Sequence, residues 1–156
     1  ASKYLVSSKG LTFSFLILRL YQIYGPYQDT SRLIPHSITS CINKKNFNCT
    51  NGTQLRDFLF VDDLINLFIK ILISKKLISG IYNVGSGKPV SVKTVIKKIH
   101  QKIRNGQPLF GRIKMRKDEI NKLYPDINKI KSKFKWKPNT SLEKGLAKTI
   151  RYYENK

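Results

Sequence analysis

The stretch that decides the fold runs from Leu55 to Asp63 and reads Leu-Arg-Asp-Phe-Leu-Phe-Val-Asp-Asp. Its apolar residues predict a short strand from Leu55 to Val61. Asp62 is a good helix N-cap residue, and Asp63 would add negative charge to the first helical turn. We therefore expect this strand to pass directly into a helix.

Arg56 lies just outside that junction. A guanidinium group presented by a rigid strand edge is suited to bind a phosphate through its planar fork. In the alternative interpretation, Arg56 pairs with Asp57 or Asp63 at the protein surface. Spacing alone does not separate the two interpretations.

The segment before this stretch indicates a mainly parallel sheet. Leu11 to Leu18 is a nearly continuous apolar run, typical of a strand covered on both faces. The Gly25-Pro26 pair then ends regular structure. Gln22 lies between them, near the carboxyl end of the strand, where open α/β sheets place their ligands. The alternative role for Gln22 is to cap backbone groups of the loop.

Apolar residues at helical spacing predict several helices. The expected helices cover 32 to 44 with Ser31 as cap, 63 to 75, a segment after Ser91, a segment with Ile127, Ile130 and Phe134 inward, and a segment after Ser141. The helix at 63 to 75 is apolar over a broad face and is expected to be largely buried. We expect the last two helices to pack on each other.

The Gly85-Ser86-Gly87 segment ends another predicted strand. It resembles a phosphate-binding loop only superficially. It is too short for a P-loop and lacks the spacing of the dinucleotide-binding fingerprint, so we interpret it as a turn.

The charge of the chain raises the question of a polyanionic partner. The 156 residues include 30 Lys and Arg against 9 Asp and Glu, a net charge of +21. Such a charge is compatible with a basic module that binds RNA or another polyanion. The lysines, however, are scattered through every predicted helix and no nucleic-acid-binding signature accompanies them. We therefore favour solvated lysine faces and expect no nucleic-acid partner.

The cysteine content and the search for targeting segments indicate the cellular compartment. Cys41 and Cys49 have a spacing that matches no common metal-ligand pattern, so buried or idle thiols and no metal site are expected. Without a signal-peptide pattern or a membrane-length apolar run, the sequence predicts a cytoplasmic protein without a membrane partner. The first residue is Ala1 and not Met, and we expect a piece of a longer protein.

Four motifs occur in order along the chain and carry a resemblance. They are Leu-Arg-x-x-Gln-x-Tyr-Gly-Pro at 18–26, Arg-Asp-Phe-x-x-Val-Asp-Asp at 56–63, Tyr-Asn-Val-Gly-Ser-Gly at 82–87 and Trp-x-Pro-x-x-Ser-Leu-Glu-x-Gly-Leu at 136–146. Together they resemble the carboxy-terminal half of the extended short-chain dehydrogenase/reductases, the NAD-dependent epimerase/dehydratase group that acts on nucleotide sugars. The sequences of the motifs are most similar to those of bacterial enzymes that make deoxy-sugars for surface polysaccharide, such as CDP-abequose synthase-like reductases.

The resemblance implies an α/β fold, namely the C-terminal part of a Rossmann-type doubly wound sheet plus a small α/β substrate-binding domain. Residues 1–30 would be the last part of the NAD(P)-binding Rossmann domain. Residues 31–156 would be the nucleotide-sugar-binding domain, with some strands and helices returning to the Rossmann sheet.

The same resemblance implies a set of substrate-binding residues. Gln22 falls where the family usually has an Asn that touches the sugar or its phosphates. Arg32 and Leu33 start the helix whose amino end lies near the substrate nucleotide. Arg56 and Arg116 match the arginines that bind the pyrophosphate. These five residues are the candidate site.

The cofactor would be NAD or NADP, bound mainly by a glycine-rich loop that belongs to the family's amino-terminal half. The catalytic Tyr-x-x-x-Lys pair is not visible. Ser2-Lys3 resembles the end of such a motif, but Lys3 is closer to Arg19 than the family's interval, so we interpret Lys3 as a helix-surface lysine and assign no catalytic residue.

The expected function is therefore substrate positioning in an NAD(P)-dependent nucleotide-sugar epimerase, dehydratase or 4-ketoreductase, with the fragment inactive by itself. Helix-paired dimers are common in the resembled family, so a homodimer is one option. Besides the polyanion-binding module, a second alternative is a non-catalytic remnant of the enzyme, held to a partner by its uncovered apolar surface.

Overall fold

The computed structural model describes residues 15–74 and 79–156. The predicted first helix, most of the strand at 11–18 and the position of Lys3 lie outside these residues. The strands are β1 (Leu16–Leu20), β2 (Gln22–Tyr24), β3 (Phe47–Cys49), β4 (Leu55–Arg56), β5 (Phe58–Phe60), β6 (Gly80–Val84), β7 (Val90–Ser91), β8 (Pro108–Phe110) and β9 (Lys122–Leu123). The helices are α1 (Leu33–Ile42), α2 (Val61–Leu72), α3 (Val92–Ile103), α4 (Asn128–Phe134) and α5 (Leu142–Glu154).

Strand pairing is mostly parallel, which confirms the α/β prediction. β1 pairs with β6, β2 with β5 and β3 with β8, all in parallel. The short strand β4 lies between β7, which is antiparallel to it, and β9, which is parallel. At least one helix lies along the chain between the two strands of each parallel pair, since parallel strands need a long crossover connection.

The extended segment formed by β1 and β2 changes its neighbour at Tyr21. The Tyr21 N–H donates to the Val84 carbonyl at 3.1 Å, which continues the pairing with β6. One residue later, the Gln22 N–H donates to the Asp57 carbonyl at 3.2 Å, and pairing with β5 begins. Gln22 therefore lies where two neighbouring strands part, and such points in open α/β sheets commonly open into a crevice.

Two hydrophobic clusters cover opposite faces of β5. Phe58 and Phe60 lie in the first cluster and Leu59 in the second, as side-chain alternation along a strand dictates. The first cluster also contains both cysteines, so the prediction of buried thiols is confirmed. The prediction that the last two helices pack on each other is wrong, because α4 contributes to the second cluster and α5 to the first.

The helix caps differ from the sequence-based expectations at two places. Phe60 occupies the N-cap position of α2 without a side-chain cap, so Asp62 lies inside the first turn, where it pairs with Lys148 at 3.0 Å. Arg32 occupies the N-cap position of α1, so Ser31 is not the cap. Ser91 and Ser141, after which two of the helices were predicted to begin, cap α3 and α5 through their hydroxyl groups.

The burial of α2 also differs from expectation. Leu64 and Leu67 are buried, but several large apolar residues of this helix and its end are 40–82% exposed: Ile65, Phe68, Ile69, Leu72 and Ile73. The helix therefore buries a narrow stripe and exposes an apolar face. Within the described residues, none of the helices combines the length and the apolar character needed to cross a membrane.

Candidate functional site

A cleft of about 290 Å³ lies beside the point where β2 and β4 approach the start of α1. The residues that line it are Gln22, Ser31, Arg32, Leu33, Gln54, Arg56, Phe58 and Val92. Four of the five candidate residues predicted from sequence are in this set. They come from three separate segments of the chain, so their convergence is a property of the fold.

The elements around the cleft place positive charge at its wall. Gln22 begins β2, and its Oε1 accepts a hydrogen bond from Arg32 Nη2 at 3.5 Å. Arg32 is the N-cap residue of α1, and Leu33 is the first helical residue. The first turn of α1 contains no acidic residue, and the nearby Asp29 carboxylate binds the Ser31 N–H, which precedes the helix. The first N–H groups of α1 are therefore available to an anion. The cleft is thus suited to an anion.

Arg56 is held firmly at the edge of this cleft. Its side chain is only 11% exposed and forms an ion pair with Glu119. Its Nη1 atom also donates to the carbonyls of Leu55 and Ile120, each at 2.8 Å. The alternative that Arg56 pairs with Asp57 or Asp63 at the surface is wrong, because both of those carboxylates bind backbone N–H groups elsewhere.

Asp57 closes the glycine turn after β6. Its carboxylate is fully buried and accepts hydrogen bonds from the backbone N–H groups of Ser86 and Gly87. A Cβ atom at Gly85 would lie 2.8 Å from Asp57 Oδ1, so this close approach needs a glycine. The turn interpretation of Gly85–Gly87 is confirmed, since a carboxylate of the chain already occupies the donors that a phosphate would need.

Asp63 joins the start of α2 to the segment before α5. Its carboxylate accepts hydrogen bonds from the N–H groups of Asn139 and Thr140, both at 3.0 Å. Its carbonyl accepts one from Trp136 Nε1 at 3.2 Å. This residue therefore links two of the four motifs, the one at 56–63 and the one at 136–146.

Tyr24 supports the cleft from below. Its ring packs edge-on against Phe58, which lines the cleft, and against Phe60. Its hydroxyl donates to the Leu142 carbonyl at 3.4 Å. Burial, followed by the negative charges of Asp63 and Glu143, raises the pKa of the Tyr24 phenol well above its usual range. The hydroxyl therefore stays neutral and acts as a structural donor.

Arg116 is placed differently from the other candidates. Its residue is exposed and is not among those that line the cleft. It is connected to the cleft through Glu119, whose N–H donates to the Arg116 carbonyl at 3.2 Å and whose carboxylate holds Arg56. A role for Arg116 in the site stays a prediction.

Sequence reasoning missed two residues of this region. Gln54 lines the cleft, and its position two residues before Arg56, directly before the predicted strand, was a usable signal, because side chains at i and i+2 of an extended chain share a face. Glu119 had no local signal, since it lies 63 residues from its partner Arg56.

Comparison with known proteins identifies relatives along the whole chain. Residues 2–85 match the NAD dependent epimerase/dehydratase family. CDP-abequose synthase from Salmonella typhimurium is 34% identical over 145 residues, which are 88% of this chain and 48% of that protein. The dTDP-glucose 4,6-dehydratase of Haemophilus influenzae is 28% identical over 98% of this chain and 49% of its own.

A solved structure gives the same result in three dimensions. The UDP-glucuronic acid 4-epimerase of Bacillus cereus, in complex with UDP-glucuronic acid and NAD, superposes with a TM-score of 0.86 at 27% identity and covers 97% of this chain and 48% of its own. The chain spans about half the length of the relatives it matches. The resemblance stated from the four motifs is confirmed.

Proposed function

Since this chain belongs to the NAD dependent epimerase/dehydratase family, we propose that its cleft binds the diphosphate of a nucleotide sugar. The main support for this proposal is that one positively charged cleft is lined by Gln22, Arg32, Leu33 and Arg56. The relatives named above act on, or are bound to, nucleotide sugars according to their names. Cationic planar groups and helix N–H groups are what a diphosphate requires.

Arg56 has the donors needed for this role. Of the five N–H groups of a guanidinium, it uses two on carbonyls and one on Glu119. Among the residues that the structure describes, the other two N–H groups have no hydrogen-bond partner and can donate to a ligand, and the backbone carbonyls hold the side chain in place. A preorganised guanidinium loses little conformational entropy when a phosphate arrives.

The cofactor of the complete protein would be NAD or NADP, which supplies the hydride acceptor and donor when bound. The described residues do not fit this group: their glycine turn is closed by Asp57, and the dinucleotide fingerprint does not occur in the sequence. In the proposed division, residues 1–30 end the cofactor-binding domain and residues 31–156 form the substrate-binding domain, with β6 returning to pair with β1.

The proposed task of this chain is to position the sugar. By holding the diphosphate, Arg56 and Arg32 would fix which sugar carbon faces the cofactor in an epimerase, dehydratase or 4-ketoreductase. Similarity to CDP-abequose synthase favours deoxy-sugar synthesis for surface polysaccharide. The proposal includes a cytoplasmic location and a homodimer as an option. It expects no reaction from the fragment alone, and the relatives lend no support to a polyanion-binding module.

Isothermal titration calorimetry tests this proposal on the chain itself. CDP-, UDP- and dTDP-linked sugars are titrated into wild type and into Arg56→Ala. If the pair with the phosphate is desolvated, the substitution should cost about 2–5 kcal/mol of binding free energy. Arg151→Ala is the matched control, because Arg151 is an exposed arginine of α5. Equal affinities for wild type and Arg56→Ala would remove Arg56 from the site.

A further inference from the structure

Gln54, a residue that lines the cleft, has a side-chain oxygen without a hydrogen bond from any described residue. Oε1 of Gln54 is buried and, within residues 15–74 and 79–156, has no partner. The backbone of the same residue is fixed, because its carbonyl accepts the Val92 N–H at 3.1 Å. Buried polar side-chain atoms in folded proteins are nearly always paired. An orphaned acceptor on a residue that lines a cleft therefore needs an explanation.

The orphaned oxygen cannot be satisfied by phosphate. An ionised phosphate carries acceptor oxygens, and an amide oxygen is itself an acceptor, so the two cannot form a hydrogen bond. The amide oxygen of Gln22, in contrast, already accepts from Arg32. The ligand must therefore bring a donor, either a hydroxyl or an N–H group, in addition to its negative charge.

The position of Gln54 relative to Arg56 sets where this donor lies. Gln54 directly precedes β4, one residue separates it from Arg56, and both residues line the cleft. Residues at i and i+2 of a strand are about 6.6 Å apart. A hydroxyl of a sugar attached directly to a phosphate lies within that distance of the phosphate. The organic part of a phosphate ester thus fits the orphaned oxygen.

We propose that Gln54 is a specificity-determining residue, whose amide oxygen accepts a hydrogen bond from a hydroxyl or N–H group on the organic part of the ligand. This inference rests on the proposed function, because it assumes that Arg56 and its neighbours hold the phosphates. Gln54 then makes the cleft prefer a sugar-bearing or nucleoside-bearing diphosphate over the inorganic ion.

The test compares two ligands on two variants by calorimetry. The ligands are a nucleoside diphosphate sugar and inorganic pyrophosphate, and the variants are Gln54→Met and the exposed control Gln101→Met on α3. Loss of one hydrogen bond should weaken binding of the nucleotide sugar about tenfold. Pyrophosphate affinity should not change, and Gln101→Met should change neither value. Equal losses for both ligands, or no loss for either, would overturn the inference.

Two further measurements keep the result interpretable. Gln54→Glu adds a negative charge, so it should bind both anions more weakly. Because it keeps an acceptor oxygen, it should retain the ratio of the affinities for the nucleotide sugar and for pyrophosphate. If urea unfolding shows that Gln54→Met does not fold, the affinity ratio of Gln54→Glu is the deciding measurement. A Gln54→Glu variant that no longer prefers the nucleotide sugar over pyrophosphate would contradict the proposal. An unchanged pyrophosphate affinity in Arg56→Ala would refute the proposed function. If Arg56→Ala weakens ligand binding but substitutions of Gln54 do not, only the present inference is refuted.

Discussion

Arg56 and Glu119 form an ion pair at the edge of the cleft, although 63 residues separate them in sequence. Glu119 is the carboxylate that neutralises the charge of Arg56 beside the cleft. Its segment is attached to β4 through the hydrogen bond from Leu55 N–H to the Asn121 carbonyl at 2.7 Å and through β9. The pair therefore couples the cleft to the segment that carries Arg116.

Glu119→Gln should strengthen the binding of inorganic pyrophosphate. The amide keeps an oxygen that can accept from Arg56, while the negative charge that opposes an incoming anion is removed. We expect affinity to increase about three- to tenfold at low salt, with a smaller gain at high salt. Calorimetry measures the change, and Glu154→Gln, an exposed acid at the end of α5, is the control. Weaker binding would mean that the charge of Glu119 is needed to position Arg56.

Replacing Asp62 or Asp63 by alanine should change the free energy of unfolding by very different amounts. Asp63 is 2% exposed and accepts two backbone hydrogen bonds, so its loss leaves buried donors unpaired. We expect Asp63→Ala to lower the free energy of unfolding by about 2–4 kcal/mol. Asp62 forms a surface ion pair with Lys148, so Asp62→Ala should cost about 0–1 kcal/mol. Urea unfolding measures both, and equal costs would contradict the assigned roles.

The contrast between these two aspartates illustrates what the sequence could and could not predict. The local pattern around Asp62 and Asp63 correctly indicated a strand followed by a helix. Which carboxylate binds backbone depends on the segment at Asn139 and Thr140, 76 and 77 residues away from Asp63. Periodicity has no information about such a distant partner. The fold class was therefore predictable, whereas the capping role was not.

The same limit applies to the cleft and to α2. The grouping of Gln22, Arg32, Leu33 and Arg56 was implied by the family resemblance that the four motifs carry, because members of one family share a fold. The orphaned oxygen of Gln54 could not be predicted, because it depends on which donors fail to reach that atom. The apolar residues of α2 indicate which side chains favour burial, but they do not indicate whether this chain provides the cover. That is why the expected burial of α2 was wrong.

Gly145→Ala should destabilise the chain although it lies within a helix. A Cβ at this position would be 2.1 Å from the Tyr24 hydroxyl oxygen and 3.0 Å from a Phe60 ring carbon. Such overpacking typically costs about 1–3 kcal/mol, which exceeds the roughly 1 kcal/mol that alanine gains over glycine in a helix. Thermal or urea unfolding measures the loss. Tyr24→Phe should recover part of it in the double variant, and Lys144→Ala on the exposed side of α5 should have little effect.

Stability should fall at alkaline pH because of Tyr24. Burial raises the folded-state pKa of Tyr24 above its ordinary value of 10.0, so its contribution to stability is complete below that value and is lost as the pH rises above it. One such group lowers the free energy of unfolding by up to about 1.4 kcal/mol per pH unit in this range. Urea unfolding of wild type and Tyr24→Phe is measured between about pH 8 and pH 11, a range that brackets the ordinary phenol pKa. The difference between the two proteins separates the effect of Tyr24 from that of the other titrating residues. Tyr24→Phe should lose less stability over that interval, and parallel pH profiles would show that Tyr24 ionises as readily in the folded chain as in the unfolded one.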